Sequence, residues 1–235
     1  MWLTYMRNFK NINLKIGGQN IMTDIKKSCT NCGTYNCASR SSKFPPFCLT
    51  ENTDRQILDE AIDLYKNDEL VSKIAHASAE VEGQYYGQLT RVEEIIIFAK
   101  KIGARKIGIA TCVGLIEESK IFAKILNAKG LDFYSVACKV GGIDKNEIGI
   151  MDEYKIKKGG CEAICNPITQ AKILNSVKTD LNVVVGLCVG HDSLFIKYSE
   201  APVTTLITKD RVLAHNPAGA LYASCSYYKK LIKKE

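Results

Sequence analysis

The sequence excludes a good deal by what it lacks. No apolar run reaches the roughly 18 residues of a membrane-spanning helix. No Gly-x-Gly-x-x-Gly follows the first expected strand, and no Gly-x4-Gly-Lys-Ser/Thr occurs anywhere, so a standard dinucleotide fold and a phosphate loop lack support. The stretch from Met1 to Met22 has neither a continuous apolar core nor a small-residue cleavage site, as a secretory signal would. Positive charge is not gathered on a binding motif. The net charge is +7, but residues 1–21 hold Arg7, Lys10 and Lys15 with no acid, leaving +4 for the rest. Much of that remainder is Lys229, Lys230, Lys233 and Lys234. Such ends read as solvated tails, and no nucleic-acid partner is expected.

Cysteine, by contrast, is abundant, with ten in 235 residues. A secreted disulfide scaffold would use that many, but secretion has no support here. The expected compartment is the reducing cytoplasm, with the cysteines held as metal-bound thiolates or as catalytic thiols. A hydrophobic content of 46% is ordinary for a chain with a true core.

Residues 1–21 are polar and aperiodic and are expected to be a disordered extension. Gly17-Gly18-Gln19-Asn20-Ile21-Met22 is what a purine-rich ribosome-binding sequence gives when translated, so Met22 is the expected native start. Residues 22–52 form a first module, with the spacing Cys29-x2-Cys32-x4-Cys37-x10-Cys48. Cys-x2-Cys wraps one ion readily, and two more thiolates complete a tetrahedral set. With little apolar content beyond Tyr35, Phe44 and Phe47, the module needs metal to hold it together. The spacing is neither a zinc ribbon nor a common ferredoxin pattern, so zinc and an iron–sulfur cluster stay open, as do disulfides or free thiols.

Residues 53–235 read as a helical segment followed by an α/β domain. Ile57, Leu58, Ala61, Ile62 and Tyr65 recur at helical spacing after a Thr53-Asp54 cap. A second helix is expected from Glu69 to about Glu80, a turn at Gly83–Gly87, and a third helix to Ile102. Strands are expected at Lys106–Ala110, Phe133–Ala137, Val183–Val185 and Thr204–Thr208. Helices from Leu115, after Asn166-Pro167, and through Tyr198 separate them. Right-handed crossovers then give a parallel sheet of about four strands in the order two-one-three-four, Rossmann-like in outline. Arg211–Ala214 is expected to return as an edge strand, and Ala218–Ile232 as a last helix with Cys225 in the core.

Three of these strands end alike. Cys112-Val113-Gly114, Cys138-Lys139-Val140-Gly141 and Cys188-Val189-Gly190 each stand where a strand gives way to a turn. Cys165 and His215 each stand ahead of an Asn-Pro helix start, and Cys161 is four residues before Cys165. In open α/β sheets ligands bind at the carboxyl edge. Cys112, Cys138, Cys165, Cys188 and His215 are therefore the candidate cofactor ligands. Cys188, with His191 or His215 as base and Asp192 as orienter, is the candidate catalytic group. Helix dipoles favour thiolate at Cys188 and Cys165. The bland alternative is a core with several buried cysteines.

The segments SCTNCGTYNC, PPFCLTEN, IGIATCVGL, CNPITQA and TDLNVVVGLCVGHDSLFIKYSEAPVTTLITKDRVLAHNPAGALY together resemble an uncharacterised family of cysteine-rich proteins of anaerobic bacteria and archaea. The resemblance spans about Ser28 to Tyr228. It implies metal binding and a prokaryotic cytoplasm, and it supplies no reaction. The expected function is redox or sulfur chemistry on a small molecule, at a cysteine-rich metal or iron–sulfur site on the sheet edge. A non-catalytic metal carrier and a cysteine hydrolase or transferase using Cys188 are the alternatives.

Overall fold

The computed structural model describes residues 27–39 and 43–233. The expected extension at 1–21 and the first residues of the cysteine module lie outside them. The chain divides into two compact units, residues 1–68 and 69–235.

The first unit has a 3-10 turn at Cys29–Asn31 and three helices: α1 (Asn36–Ser39), α2 (Leu49–Asn52) and α3 (Arg55–Asn67). The Asp54 side chain caps α3 by accepting the Gln56 N–H at 3.0 Å. None of these elements contains a buried residue. Ile57, Leu58, Ile62 and Tyr65, the apolar stripe of α3, are exposed. The division falls at Asp68, so α3 groups with the cysteine module.

The second unit opens with α4 (Glu69–Tyr85) and α5 (Arg91–Lys101). Gly83 lies inside α4, and the turn expected at 83–87 comes later, at Tyr86–Gln88. A capping box between Thr90 and Glu93 starts α5. The sheet then alternates with helices: β1 (Lys106–Thr111), α6 (Ile116–Ala128), β2 (Asp132–Ala137), α7 (Pro167–Ser176), β3 (Leu181–Val185), α8 (His191–Tyr198) and β4 (Val203–Ile207). The four strands are parallel in the order β2-β1-β3-β4, as the crossover argument requires. Right-handed crossovers put α6 on one face and α7 with α8 on the other. In keeping with this, α7 packs on α8, and α6 on β1 and β2.

Burial on both faces explains why β3 is apolar from end to end but for Asn182. That amide is satisfied inside the core. Its Oδ1 accepts from Thr179 Oγ1 at 2.7 Å, and its Nδ2 donates to Ser199 Oγ at 2.6 Å. Gly108, in the neighbouring strand β1, makes room for it: a Cβ there would stand 1.9 Å from Asn182 Oδ1. Between β2 and α7 the chain makes 3-10 turns at Lys145–Ile148 and Asp152–Tyr154. They are held by the buried Lys155, which donates to Gly160 O at 2.8 Å and stands 3.5 Å from Asp144 and Asp152.

Two expectations fail at the C-terminal end. Residues 211–215 form turns, not an edge strand. Asp210 Oδ1 accepts the N–H groups of Val212 and Leu213 at 2.8 Å each, and Asp210 O accepts the His215 N–H at 2.9 Å, so the chain winds around Asp210. The last helix, α9, is only Ala218–Tyr222, followed by turns and a 3-10 turn at Lys229–Ile232. It stops at Ser224-Cys225-Ser226, where Ser226 Oγ bonds back to Ala223 O at 3.2 Å. Cys225 is exposed there instead of packed in a core. Among the described residues no helix is long and apolar enough to cross a membrane.

Candidate functional site

Parallel pairing aligns Thr111 with Ala137 on one side and with Val185 on the other, so β1, β2 and β3 end together. The ladder runs one residue further, into the cysteines. Cys138 N–H donates to Thr111 O at 2.8 Å, and Cys112 N–H to Val185 O at 3.2 Å. The turn after Cys112 aims the Val113 N–H at Cys138 Sγ, at 3.4 Å. Asn166 N–H donates to Cys138 O at 2.7 Å, which brings the start of α7, and Cys165 with it, onto the end of β2. Gln170 fixes that helix in depth, its Nε2 donating to Val136 O at 2.6 Å and Thr111 O at 3.2 Å. Gly186 makes the turn out of β3 at φ +70°, and a Cβ there would stand 1.9 Å from Leu115 Cδ1.

The result is a group of thiols in unlike environments. Cys112 and Cys138 are buried, whereas Cys165 and Cys188 are half-buried. A hydrogen bond joins the Cys138 and Cys165 thiols. That bond, with the charges of Lys139 and His191, outweighs burial and brings the Cys165 thiol down to about 5. The same bond, with burial, pushes Cys138 well above the ordinary thiol range. The shared bond favours ionisation of one thiol of the pair and keeps the other protonated. Burial pushes Cys188 up, helped by Cys112 and Cys165, while Arg211 opposes. The Arg211 guanidinium donates from Nη2 to Cys188 Sγ at 2.8 Å. Helix position favours thiolate at both Cys188 and Cys165; burial works against it at Cys188, and the bond to Cys138 favours it at Cys165.

The other candidates take different places. His191 begins α8, its N–H donating to Cys188 O at 2.9 Å. Its Nδ1 is buried with no hydrogen-bond partner among the described residues. Asp192 does not engage that nitrogen; Asp192 Oδ1 accepts the Ser193 N–H at 2.8 Å. His215, at φ +64°, accepts the Asp210 N–H at Nδ1 (3.2 Å), so this nitrogen belongs to the turn. Cys161 is exposed and bonds the Asp144 carboxylate, which raises the thiol and holds Asp144 down at about 2.

In the first unit Cys29 and Cys37 are exposed, and Cys32 and Cys48 half-buried. Cys32 Sγ accepts the Tyr35 N–H at 3.4 Å, a bond that lowers its thiol. Among the described residues, no three His, Cys, Asp or Glu side chains stand close enough together to hold an ion. Sequence reasoning missed Arg211 and Lys139. Lys139 is signalled only by its place after Cys138. Arg211 reaches the site because the strand expected there is a turn, which nothing in its immediate sequence announces.

A doubly wound parallel sheet with thiols gathered at its carboxyl edge defines an α/β protein with a sulfur-rich site. The chain belongs to the DUF1847 family, proteins of unknown function, whose model matches residues 48–206. That span carries β1, β2, β3 and all but the last residue of β4, with Cys112, Cys138, Cys165 and Cys188. Cys29, Cys32, Cys37 and Arg211 lie outside it. The chain is also 54% identical over 187 residues to an uncharacterized protein of the archaeon Methanocaldococcus jannaschii, covering 79% of this chain and 94% of that protein.

Proposed function

We propose that the sheet edge is a thiol site for redox or sulfur chemistry on a small molecule, with Cys165 as nucleophile and Cys138 as its resolving partner. The observation that carries this is the meeting of two thiols at the sheet edge: the Asn166 N–H bond to Cys138 O at 2.7 Å seats Cys165, just ahead of α7, against buried Cys138 at the end of β2, and a hydrogen bond joins the two thiols. A thiol held as thiolate at neutral pH, beside a protonated second thiol, is an arrangement that thiol–disulfide exchange uses. Cys165 attacks one sulfur of a small disulfide, whose S–S bond breaks and releases one thiolate. That thiolate takes the Cys138 proton. Cys138 then attacks the Cys165 sulfur and expels the second thiolate. Two electrons have passed from the pair to the substrate, leaving a Cys138–Cys165 disulfide. The chemistry belongs in a reducing cytoplasm, where such a pair is kept as free thiols.

The test is to treat the reduced chain with a small disulfide and map the products by peptide mass spectrometry. A Cys138–Cys165 disulfide forming ahead of any other is expected. Mixed disulfides confined to exposed cysteines such as Cys225 would refute the assignment.

A soft metal is a second reading, favoured by the partnerless His191 Nδ1 among thiols and by the amide donor on Cys32. The donor types fit zinc or an iron–sulfur cluster. Cys29, Cys32, Cys37 and Cys48 would hold one group, completing a four-cysteine module. Cys112, Cys138, Cys165, Cys188 and His191 offer donors for another. When bound, zinc supplies cross-linking and Lewis acidity, and a cluster supplies electron transfer. Anaerobic purification with metal analysis and an absorption spectrum tests this. A chain free of zinc and iron, with no broad visible absorption, would sink it.

A further inference from the structure

We infer that the thiol site takes a small anionic sulfur compound and that Arg211 is the residue that selects it. This rests on the thiol-exchange reading above and names its substrate class. Three cations converge on the sheet edge. Arg211 Nη2 lies 2.8 Å from Cys188 Sγ. Lys139 donates to Ala163 O and bonds the Cys165 thiol. Lys209 Nζ lies over the turn after Cys112, where a Cβ on Gly114 would stand 3.4 Å from that nitrogen and 3.9 Å from Cys112 Sγ.

Among the described residues none of the three has a carboxylate within ion-pair distance. The acids beside them in sequence are engaged with backbone. Asp210 Oδ1 accepts from Val212 and Leu213, and Asp192 Oδ1 from Ser193. Elsewhere on the same unit charges are paired, as in Lys145–Glu162 at 2.6 Å and Lys101–Glu80 at 2.5 Å. Positive charge without acidic partners, rimming a pair of half-buried sulfurs, attracts anions and raises their local concentration. A guanidinium has five donors in a planar fork. The bond to Cys188 uses one, which leaves an edge able to take a carboxylate side-on. Thiols define the sulfur half of the substrate, and the cations define its charge.

Paired alkylating agents test this without knowledge of the natural substrate. Iodoacetate is an anion and iodoacetamide its neutral analogue, and each transfers its carbon to a thiolate and releases iodide. The rate ratio, iodoacetate over iodoacetamide, is read at Cys165 and Cys188 by peptide mass spectrometry, with the urea-unfolded chain as reference. The folded chain should exceed that reference by about tenfold, and high salt should erode the excess. Arg211→Gln should remove at least about two-thirds of it, while Arg211→Lys, which keeps the charge, should retain more than Arg211→Gln does. A folded-chain ratio equal to the reference overturns the proposal, as does a ratio that Arg211→Gln leaves in place. If Cys165 meets iodoacetamide no faster than exposed Cys225, it is the exchange reading that has failed. The ratio at Cys188, which Arg211 touches, then still decides the anion claim.

Discussion

The protein carries two sets of cysteines, and they are held in opposite ways. Cys29, Cys32, Cys37 and Cys48 are close in sequence, in a unit whose described elements bury no side chain. Cys112, Cys138, Cys165 and Cys188 are scattered over 77 positions and are brought together at the strand ends of a sheet whose central strands, β1 and β3, are buried. Local spacing therefore says nothing of how firmly a thiol is fixed. On the metal reading, the backbone of the first set depends on what the thiols bind. In the second the thiols depend on a backbone already fixed by the core.

The largest expected effect follows from that contrast. Under the metal reading, Cys32→Ser, or chelation, should release one ion or cluster and unfold residues 28–50 as a body, because structural zinc contributes about 10 kcal/mol or more to such modules. The sheet should not respond. Hydrogen exchange separates the two: amides of the module should exchange freely while those of β1 and β3 stay protected. Metal content unchanged in Cys29→Ser and Cys32→Ser alike would remove metal from the account of this module.

The converse perturbation acts on the core. Gly186→Ala places a Cβ in the left-handed region and against Leu115. Strain of about 1 kcal/mol and overpacking of about 1–3 kcal/mol sum to roughly 2–4 kcal/mol. Urea unfolding of the second unit should show that loss, with the Cys165 alkylation rate falling as the turn shifts. A midpoint within error of wild type would mean that the strand ends are looser than their burial implies.

A smaller effect lies in pH. The folded Cys165 thiol is lowered to about 5, so its contribution to stability is complete above the ordinary thiol range and is lost as pH falls toward 5. Cys138, raised, acts at the other end. Past the ordinary thiol range the unfolded chain ionises there while the folded chain does not, and stability declines. Between about pH 5 and 8, wild type should therefore gain on Cys165→Ser as pH rises. Subtracting the two denaturation curves isolates this from Asp144 and Glu162, which are held at about 2 and titrate below the window. A flat difference curve would show that Cys165 is no thiolate.

How much of this was legible follows the same division. The β-branched run at Val183–Val185, the Asn166-Pro167 cap and right-handed crossovers were enough for the strand order and for the convergence of four distant cysteines. Local signals and a chirality rule do that work. Charge was not legible, because it depends on contacts. Nothing about Cys165 alone says that Cys138 will bond to it. The winding of residues 211–215 around Asp210 carries Arg211 to Cys188, where a tight turn at Lys209-Asp210 had pointed to a returning edge strand. Asp192, adjacent to His191, looked like an orienter and instead bonds its own helix.

The least perturbing change should be Cys188→Ala. The structural role at this position belongs to the backbone: Cys188 O accepts the N–H of His191 at 2.9 Å and of Asp192 at 3.2 Å, and both bonds survive truncation. The side chain is half-buried, and the hydrogen bond it is seen to make is with Arg211, itself exposed. Losing one N–H···S bond and part of a small apolar group costs about 1 kcal/mol, the size of an ordinary single substitution. Alkylation of Cys165 should persist, because Cys138 and Lys139 remain, though the anion preference should weaken as Arg211 loses its anchor. Urea midpoints read the stability, and mass spectrometry reads the alkylation. A loss above about 3 kcal/mol would show instead that Cys188 packs as core. The sheet-edge cysteines would then be of two kinds, with Cys188 serving the fold and Cys165 the chemistry.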